Sequence, residues 1–127
     1  MSDVPMIAII DDDDSVRVAT ESLVRSFGFK TSAFASPEAF LASSRMAEIH
    51  CVITDVQMPD MSGIELFDVL RARGTGLPVI FITSFPEERV RRRVEEAGAV
   101  GFLAKPFDAD TIMGFVFEAL KGQPRPH

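Results

Sequence analysis

Four short apolar runs each end on a polar or charged residue, and this pattern constrains the fold more than any other feature of the chain. Ile7-Ala8-Ile9-Ile10 runs into Asp11 and Asp12, and Cys51-Val52-Ile53-Thr54 runs into Asp55. Val79-Ile80-Phe81-Ile82 runs into Thr83, and Gly101-Phe102-Leu103-Ala104 runs into Lys105. Runs of this length, rich in β-branched and aromatic residues, read as buried strands. If the strands are parallel, all five side chains gather at the carboxyl edge of one sheet. In open α/β sheets that edge is where ligands bind.

The stretches between the runs carry helical patterns. Ser15 to Phe27 places Val16, Ala19, Thr20, Leu23 and Phe27 on one helical face, and Gly28 closes the segment. Lys30 to Phe34 predicts a further short strand. Ser36 then reads as an N-cap, with Pro37 at the first helical position. Beyond Asp55 lies a loop broken by Pro59 and Gly63, then a helix with Ile64, Phe67, Val69 and Leu70 inward. Pro86 to Ala97 and Ala109 to Leu120 predict the last two helices. Five strand–helix alternations predict an α/β fold: a parallel sheet with helices on both faces and right-handed crossovers.

Bulk properties set outer bounds. At 127 residues the chain is one domain, assigned to 1–121, and 122–127 (Gly-Gln-Pro-Arg-Pro-His) reads as a tail or the start of a linker. A net charge of −6 argues against direct nucleic-acid binding. Glu87 to Glu96 is basic at Arg89 and Arg91 to Arg93, but Glu and Arg recur four apart there, the spacing of a solvated ion-pair ladder. The sequence has neither a signal-peptide pattern nor an apolar stretch long enough for a bilayer, so no membrane role is expected and the compartment is read as cytoplasmic. The single cysteine, Cys51, reads as a core residue. His50 and His127 show no ligand spacing.

Three carboxylates, a hydroxyl and an ammonium make a divalent-cation and phosphoryl site. Asp13 and Asp14 have an ordinary use in satisfying a helix N-terminus. Adjacent carboxylates at Asp11 and Asp12 repel unless a cation lies between them. Asp55, ending an apolar strand, needs pairing or a metal. A carboxylate so placed can attack phosphorus to form an acyl phosphate, with Lys105 and Thr83 neutralising and hydrogen-bonding the phosphoryl oxygens.

From Ile7 to about Leu120 the chain resembles a response-regulator receiver domain of the FixJ type. The resemblance lies in Ile9-Ile10-Asp11-Asp12-Asp13, Thr54-Asp55-Val56-Gln57-Met58-Pro59-Asp60-Met61-Ser62-Gly63, Ile82-Thr83-Ser84, Gly98-Ala99-Val100-Gly101-Phe102 and Lys105-Pro106-Phe107. It implies a doubly wound, flavodoxin- and CheY-like (βα)5 fold with strand order 2-1-3-4-5. It also implies that Asp55 accepts a phosphoryl group from a sensor histidine kinase or phosphotransfer protein. In the implied metal site Asp12 and Asp55 hold Mg2+ (or Mn2+) directly, Asp11 acts through water, and the Gln57 backbone carbonyl completes the protein ligands. Thr83 and Phe102 take switch roles, although Phe102 also reads as a plain core residue. Lys105-Pro106 is implied to be cis. Catalysis is expected to be limited to the domain's own phosphorylation and dephosphorylation.

Output is expected at the helix 4/strand 5/helix 5 surface, with Val90, Met113 and Phe117 as partner residues and homodimerisation as one use. One departure from the FixJ-type pattern is Ser84-Phe85-Pro86, where relatives tend to be glycine-rich. Two rivals stand beside the receiver reading. A haloacid-dehalogenase-type phosphatase would want a second Asp where Gln57 stands, and the chain has no room for a cap domain. A receiver-fold interaction module that ignores phosphate would keep the same fold. Sequence leaves open whether the receiver stands alone or belongs to a longer transcription factor.

Overall fold

A computed structural model describes residues 4–121; the tail expected over 122–127, with His127, lies outside the described residues. The four apolar runs are strands β1 (Met6–Ile10), β3 (Ile49–Asp55), β4 (Val79–Thr83) and β5 (Gly101–Ala104), joined by β2 (Lys30–Phe34). All pairings are parallel, in the order β2-β1-β3-β4-β5. The connections carry helices α1 (Asp14–Ser26), α2 (Pro37–Leu41), α3 (Gly63–Ala72), α4 (Glu88–Glu96) and α5 (Ala109–Lys121), with a short 3-10 turn at Met46–Glu48. Among the described residues no helix is long and apolar enough to cross a membrane.

Period-two alternation divides the strands between two cores. Ile7, Ile9, Cys51, Ile53, Ile80 and Ile82 pack on α1 and α5 through Val24, Ile112, Met113 and Val116. Ala8, Ile10, Val52, Phe81 and Phe102 face α2, α3 and α4 through Phe40, Leu66, Leu70 and Val94. Covering on both faces is why the central strands are apolar throughout rather than alternating. The parity slips once. Met6 pairs with Ile49 but Ile7 with Cys51, so His50 is an extra residue in β3. The Met6 N–H donates to His50 Nδ1 at 3.1 Å, which satisfies the amide displaced at this bulge.

Helix starts follow local chemistry. Asp13 caps α1, Ser36 caps α2 with Pro37 in its first turn, and Ser62 with Glu65 forms a capping box on α3. α4 starts at Glu88 rather than Pro86, and its N-cap, Glu87, makes no side-chain capping bond. Burial corrects the helical faces expected from sequence. In α1 the fully buried apolar residue is Val24, while Ala19 is exposed and Phe27 lies past the helix end. Leu66 joins Phe67 and Leu70 in the α3 core, while Ile64 and Val69 are half-buried. Of the α4 ladder, Arg91 meets Glu95 at 3.8 Å and also Glu88 at 3.9 Å, and Arg93 reaches Asp68 of α3 at 3.5 Å. Gly101 is required where it stands, since a Cβ there would come within 2.7 Å of the Phe115 ring.

Candidate functional site

Strand register brings the site residues into one row. Ile10 lies opposite Thr54, Asp55 opposite Ile82, and Thr83 opposite Ala104. The residues that finish β1, β3, β4 and β5 therefore emerge side by side. Asp11, just past β1, is held by its N–H to the Phe34 carbonyl at 3.1 Å, and Arg17 donates to its own carbonyl at 2.8 Å. Its side chain is fully buried. Oδ1 accepts from the Asp13 N–H at 2.9 Å, and Oδ2 takes the Lys105 Nζ at 3.0 Å.

Asp55 is buried and held in place from two sides. The Val56 N–H donates to its Oδ1 at 2.8 Å, and Lys105 Nζ lies 3.4 Å from its Oδ2. Behind it the chain turns through a close approach: the Gly63 N–H donates to the Val56 carbonyl at 2.9 Å. A Cβ on Gly63 would fall 2.1 Å from the Asp55 carbonyl oxygen, so only glycine lets α3 begin so near the end of β3. Asp12 is exposed beside this pair. Carboxylate oxygens of Asp11, Asp12 and Asp55 all lie within 4.8 Å of one another.

Burial and crowded charge both show in the proton affinities. Burial, and then the negative charge of Asp11, push the Asp55 carboxyl above the ordinary aspartate range, against the opposing pull of Lys105 and the Val56 N–H. Burial works to lower Lys105. The hydrogen bond to Asp11 and the charges of Asp55 and Asp11 outweigh it, and the ammonium is held above its usual range. The Lys105 shift comes from its acidic partners, and the Asp55 shift from burial first and its acidic neighbour second. Cys51, by contrast, is pushed up to about 12 by burial and is an inert core thiol.

Thr83 completes the row, fully buried at the end of β4. Its hydroxyl donates to Gln57 Oε1 at 2.7 Å and accepts from the Phe85 N–H at 3.0 Å. Sequence analysis gave the Gln57 side chain no role at Thr83 and did not foresee this contact. The spacing carried one signal, a long amide two residues after the strand-end acid. Lys105–Pro106 is cis, and the Lys105 N–H donates to the Thr83 carbonyl at 2.8 Å.

The residues expected to form one partner surface do not share one. Met113 is 1% exposed, because α5 lies over the middle of the sheet and buries a wider stripe than one heptad face suggests. Phe117 is 47% exposed but leans on Phe27 and Phe29 at the α1 side, with ring centroids 6.4 and 5.7 Å away. Val90 is half-buried and lines an apolar groove of about 560 Å³ with Val56, Gln57, Met58, Pro59, Ser62 and Ile64. Phe102 is buried, 6% exposed, and borders a second cavity of about 310 Å³ under Pro86, Glu87 and Arg91.

Comparison with known proteins agrees with this geometry. The family model for the response regulator receiver domain matches residues 7–117. The response regulator protein TodT of Pseudomonas putida is 38% identical over 120 residues, covering 94% of this chain and 53% of TodT. The transcriptional regulatory protein FixJ of Azorhizobium caulinodans is 37% identical over 114 residues, covering 90% of this chain and 54% of FixJ. The chain thus spans about half the length of these curated relatives. The crystal structure of FixJ-N superposes with a TM-score of 0.86 at 31% identity, covering 99% of this chain and 100% of that one.

Proposed function

This chain belongs to the response-regulator receiver domain family, and we propose that Asp55 is its phosphoacceptor, charged by a histidine kinase or phosphotransfer protein. The observation that carries the assignment is the gathering of Asp55 with Lys105, which also bonds Asp11, and with the carboxylates of Asp11 and Asp12. An Asp55 carboxylate oxygen attacks the phosphorus of a phosphohistidine. The new bond is O–P, the broken bond is P–N, and the imidazole nitrogen leaves with the electron pair and takes a proton. Lys105 lies within reach of an oxygen on the transferred group, and the Thr83 hydroxyl supplies a donor to another. Asp55 and Asp11 are buried, while Asp12 leaves the site open to water on one side.

The donor set suits a hard divalent cation. Three carboxylates converge, Asp12 is open to water, and every candidate ligand is oxygen, as Mg2+ prefers. Asp12 and Asp55 would hold Mg2+ or Mn2+ directly, with Asp11 behind them through water and the Gln57 carbonyl at the rim. When bound, the ion would neutralise phosphoryl oxygens and relieve the repulsion among the carboxylates. A phosphatase of the haloacid-dehalogenase type would need an acid where Gln57 stands, and that side chain is engaged with Thr83.

Intact mass after incubation with acetyl phosphate and Mg2+ tests the assignment. The expected result is one added phosphoryl group that requires Mg2+ and is absent from Asp55→Ala. An adduct that persists in Asp55→Ala would move the acceptor elsewhere. No adduct with acetyl phosphate or with a phosphorylated kinase would favour the phosphate-independent module.

A further inference from the structure

The Thr83 hydroxyl has one proton, and in this structure that proton is already committed. It goes to Gln57 Oε1 at 2.7 Å, while the lone pairs on the oxygen receive the Phe85 N–H at 3.0 Å. A phosphoryl oxygen on Asp55 is an acceptor only, so a bond from Thr83 to it requires the same proton. Gln57 and the phosphoryl group therefore compete for a single donor. We infer that Gln57 is a latch: its side-chain carbonyl holds the switch hydroxyl in the unphosphorylated arrangement and sets how readily the domain turns over to the phosphorylated one. This inference rests on the phosphoacceptor reading above and adds to it a positioning residue that acts through Thr83.

Burial makes the competition uneven. Thr83 is fully buried, so its hydroxyl has protein partners in place of water. Gln57 is exposed, and its carbonyl can rehydrate at little cost once released. Breaking the latch thus loses about one ordinary hydrogen bond, which the phosphoryl oxygen restores. Replacing Gln57 with a side chain of equal length and no strong acceptor leaves the buried hydroxyl poorly satisfied only in the unphosphorylated state. That state rises in energy, and the phosphoryl-like state becomes easier to reach. Position matters as much as chemistry here. Gln57 lies on the loop leaving Asp55, and the Phe85 N–H ties Thr83 to the loop entering α4. The latch joins the acceptor strand to the segment that α4 follows.

Beryllofluoride with Mg2+, a mimic of the phosphoryl group, gives the test. Its dissociation constant would be measured by calorimetry for wild type, Gln57→Met, Thr83→Val and the double variant. Only the Gln57 side chain changes, so its backbone carbonyl keeps whatever role it has at the metal. The latch predicts that Gln57→Met binds the mimic roughly two- to tenfold more tightly, the worth of one net hydrogen bond. It also predicts no further gain from Gln57→Met once Thr83→Val has removed the hydroxyl. Equal tightening in both backgrounds, or unchanged or weaker binding in Gln57→Met, would overturn it while leaving Asp55-dependent mimic binding and the receiver reading intact. Absence of any Asp55-dependent binding in the wild type would sink both. Methyl NMR of the mimic-free protein adds a readout that general destabilisation would not imitate. In Gln57→Met the methyl resonance of Ala104, opposite Thr83 on β5, should move along the line joining its free and mimic-saturated positions in wild type. Movement off that line, or none, contradicts the latch.

Discussion

The two faces of the sheet are built differently. On one, two thirteen-residue helices, α1 and α5, close over a row of isoleucines from β1, β3 and β4. On the other, α2 has five residues and α4 nine, and α4 has Val94 as its one fully buried residue. Both grooves described above open on this second face, one beside Gln57 and Val90 and one beside Phe102. Thr83 sits at the boundary, its hydroxyl turned to the loops that lead into α3 and α4. Both faces have a buried core, but one is closed by two long helices and the other is covered by shorter ones with grooves beside them. A site needing a steady acceptor and a responsive surface has one of each. The difference lies in the cover: long helices resist local opening, while short ones beside open grooves open at lower cost.

Truncation of core residues should break the comparison most visibly. Ile112→Ala in α5 should cost about 2–5 kcal/mol in denaturant unfolding, since Ile112 is fully buried. Val90→Ala beside the groove should cost less than about 1 kcal/mol, because its site is already partly open. Equal losses would show that α4 is held as firmly as α5.

Acidity at the row of site residues sharpens the contrast between site and scaffold. The folded state holds the Asp55 carboxyl above its usual range, so ionising it opposes folding. Without metal this penalty is absent below the unfolded value of about 4, grows as pH rises toward the folded value, and is complete above it. Asp55→Asn should therefore raise the metal-free Tm at neutral pH, and the gain over wild type should shrink as pH falls. Mg2+ should stabilise the wild type, by about 2.7 kcal/mol at a hundredfold excess over its Kd, and do far less for Asp55→Asn. Thermal unfolding across pH, with and without Mg2+, checks both. A variant less stable than wild type at neutral pH would contradict the account of a carboxyl raised by burial and by Asp11.

A smaller effect concerns the start of α3, which carries one wall of the groove. Ser62→Ala removes half of the capping box and should cost about 1 kcal/mol. The loss should appear in unfolding free energy without altering mimic binding. If mimic binding changed as well, α3 would belong to the switching apparatus rather than to its support.

Much of this was legible in the sequence because it depends on local chemistry. Apolar runs ending in Asp, Thr and Lys gave the strands and the row of site residues. Ser36-Pro37 gave the α2 start, and Gly28 and Gly98 the left-handed turns closing α1 and α4. Strand order came from family resemblance and not from periodicity, since nothing local says which strand lies next to which. Other features depended on tertiary context. His50 is an extra residue in β3 only because β1 pairs around it, and its role as acceptor for Met6 is a contact between distant segments. Met113 looks peripheral on a helical wheel but is buried because α5 crosses a sheet apolar on both faces. The bond from Thr83 to Gln57 joins residues 26 apart in sequence, and no spacing rule predicts which side chain a buried hydroxyl will find.

Amide hydrogen–deuterium exchange with and without beryllofluoride and Mg2+ tests the central claim most directly, that one site at Asp55 acts on one face. The account predicts altered exchange in the loop after Asp55, the segment from Thr83 through α4, and β5, with α1 and the buried side of α5 unchanged. Changes centred on α1 and α5, or the same changes in Asp55→Ala, would contradict it.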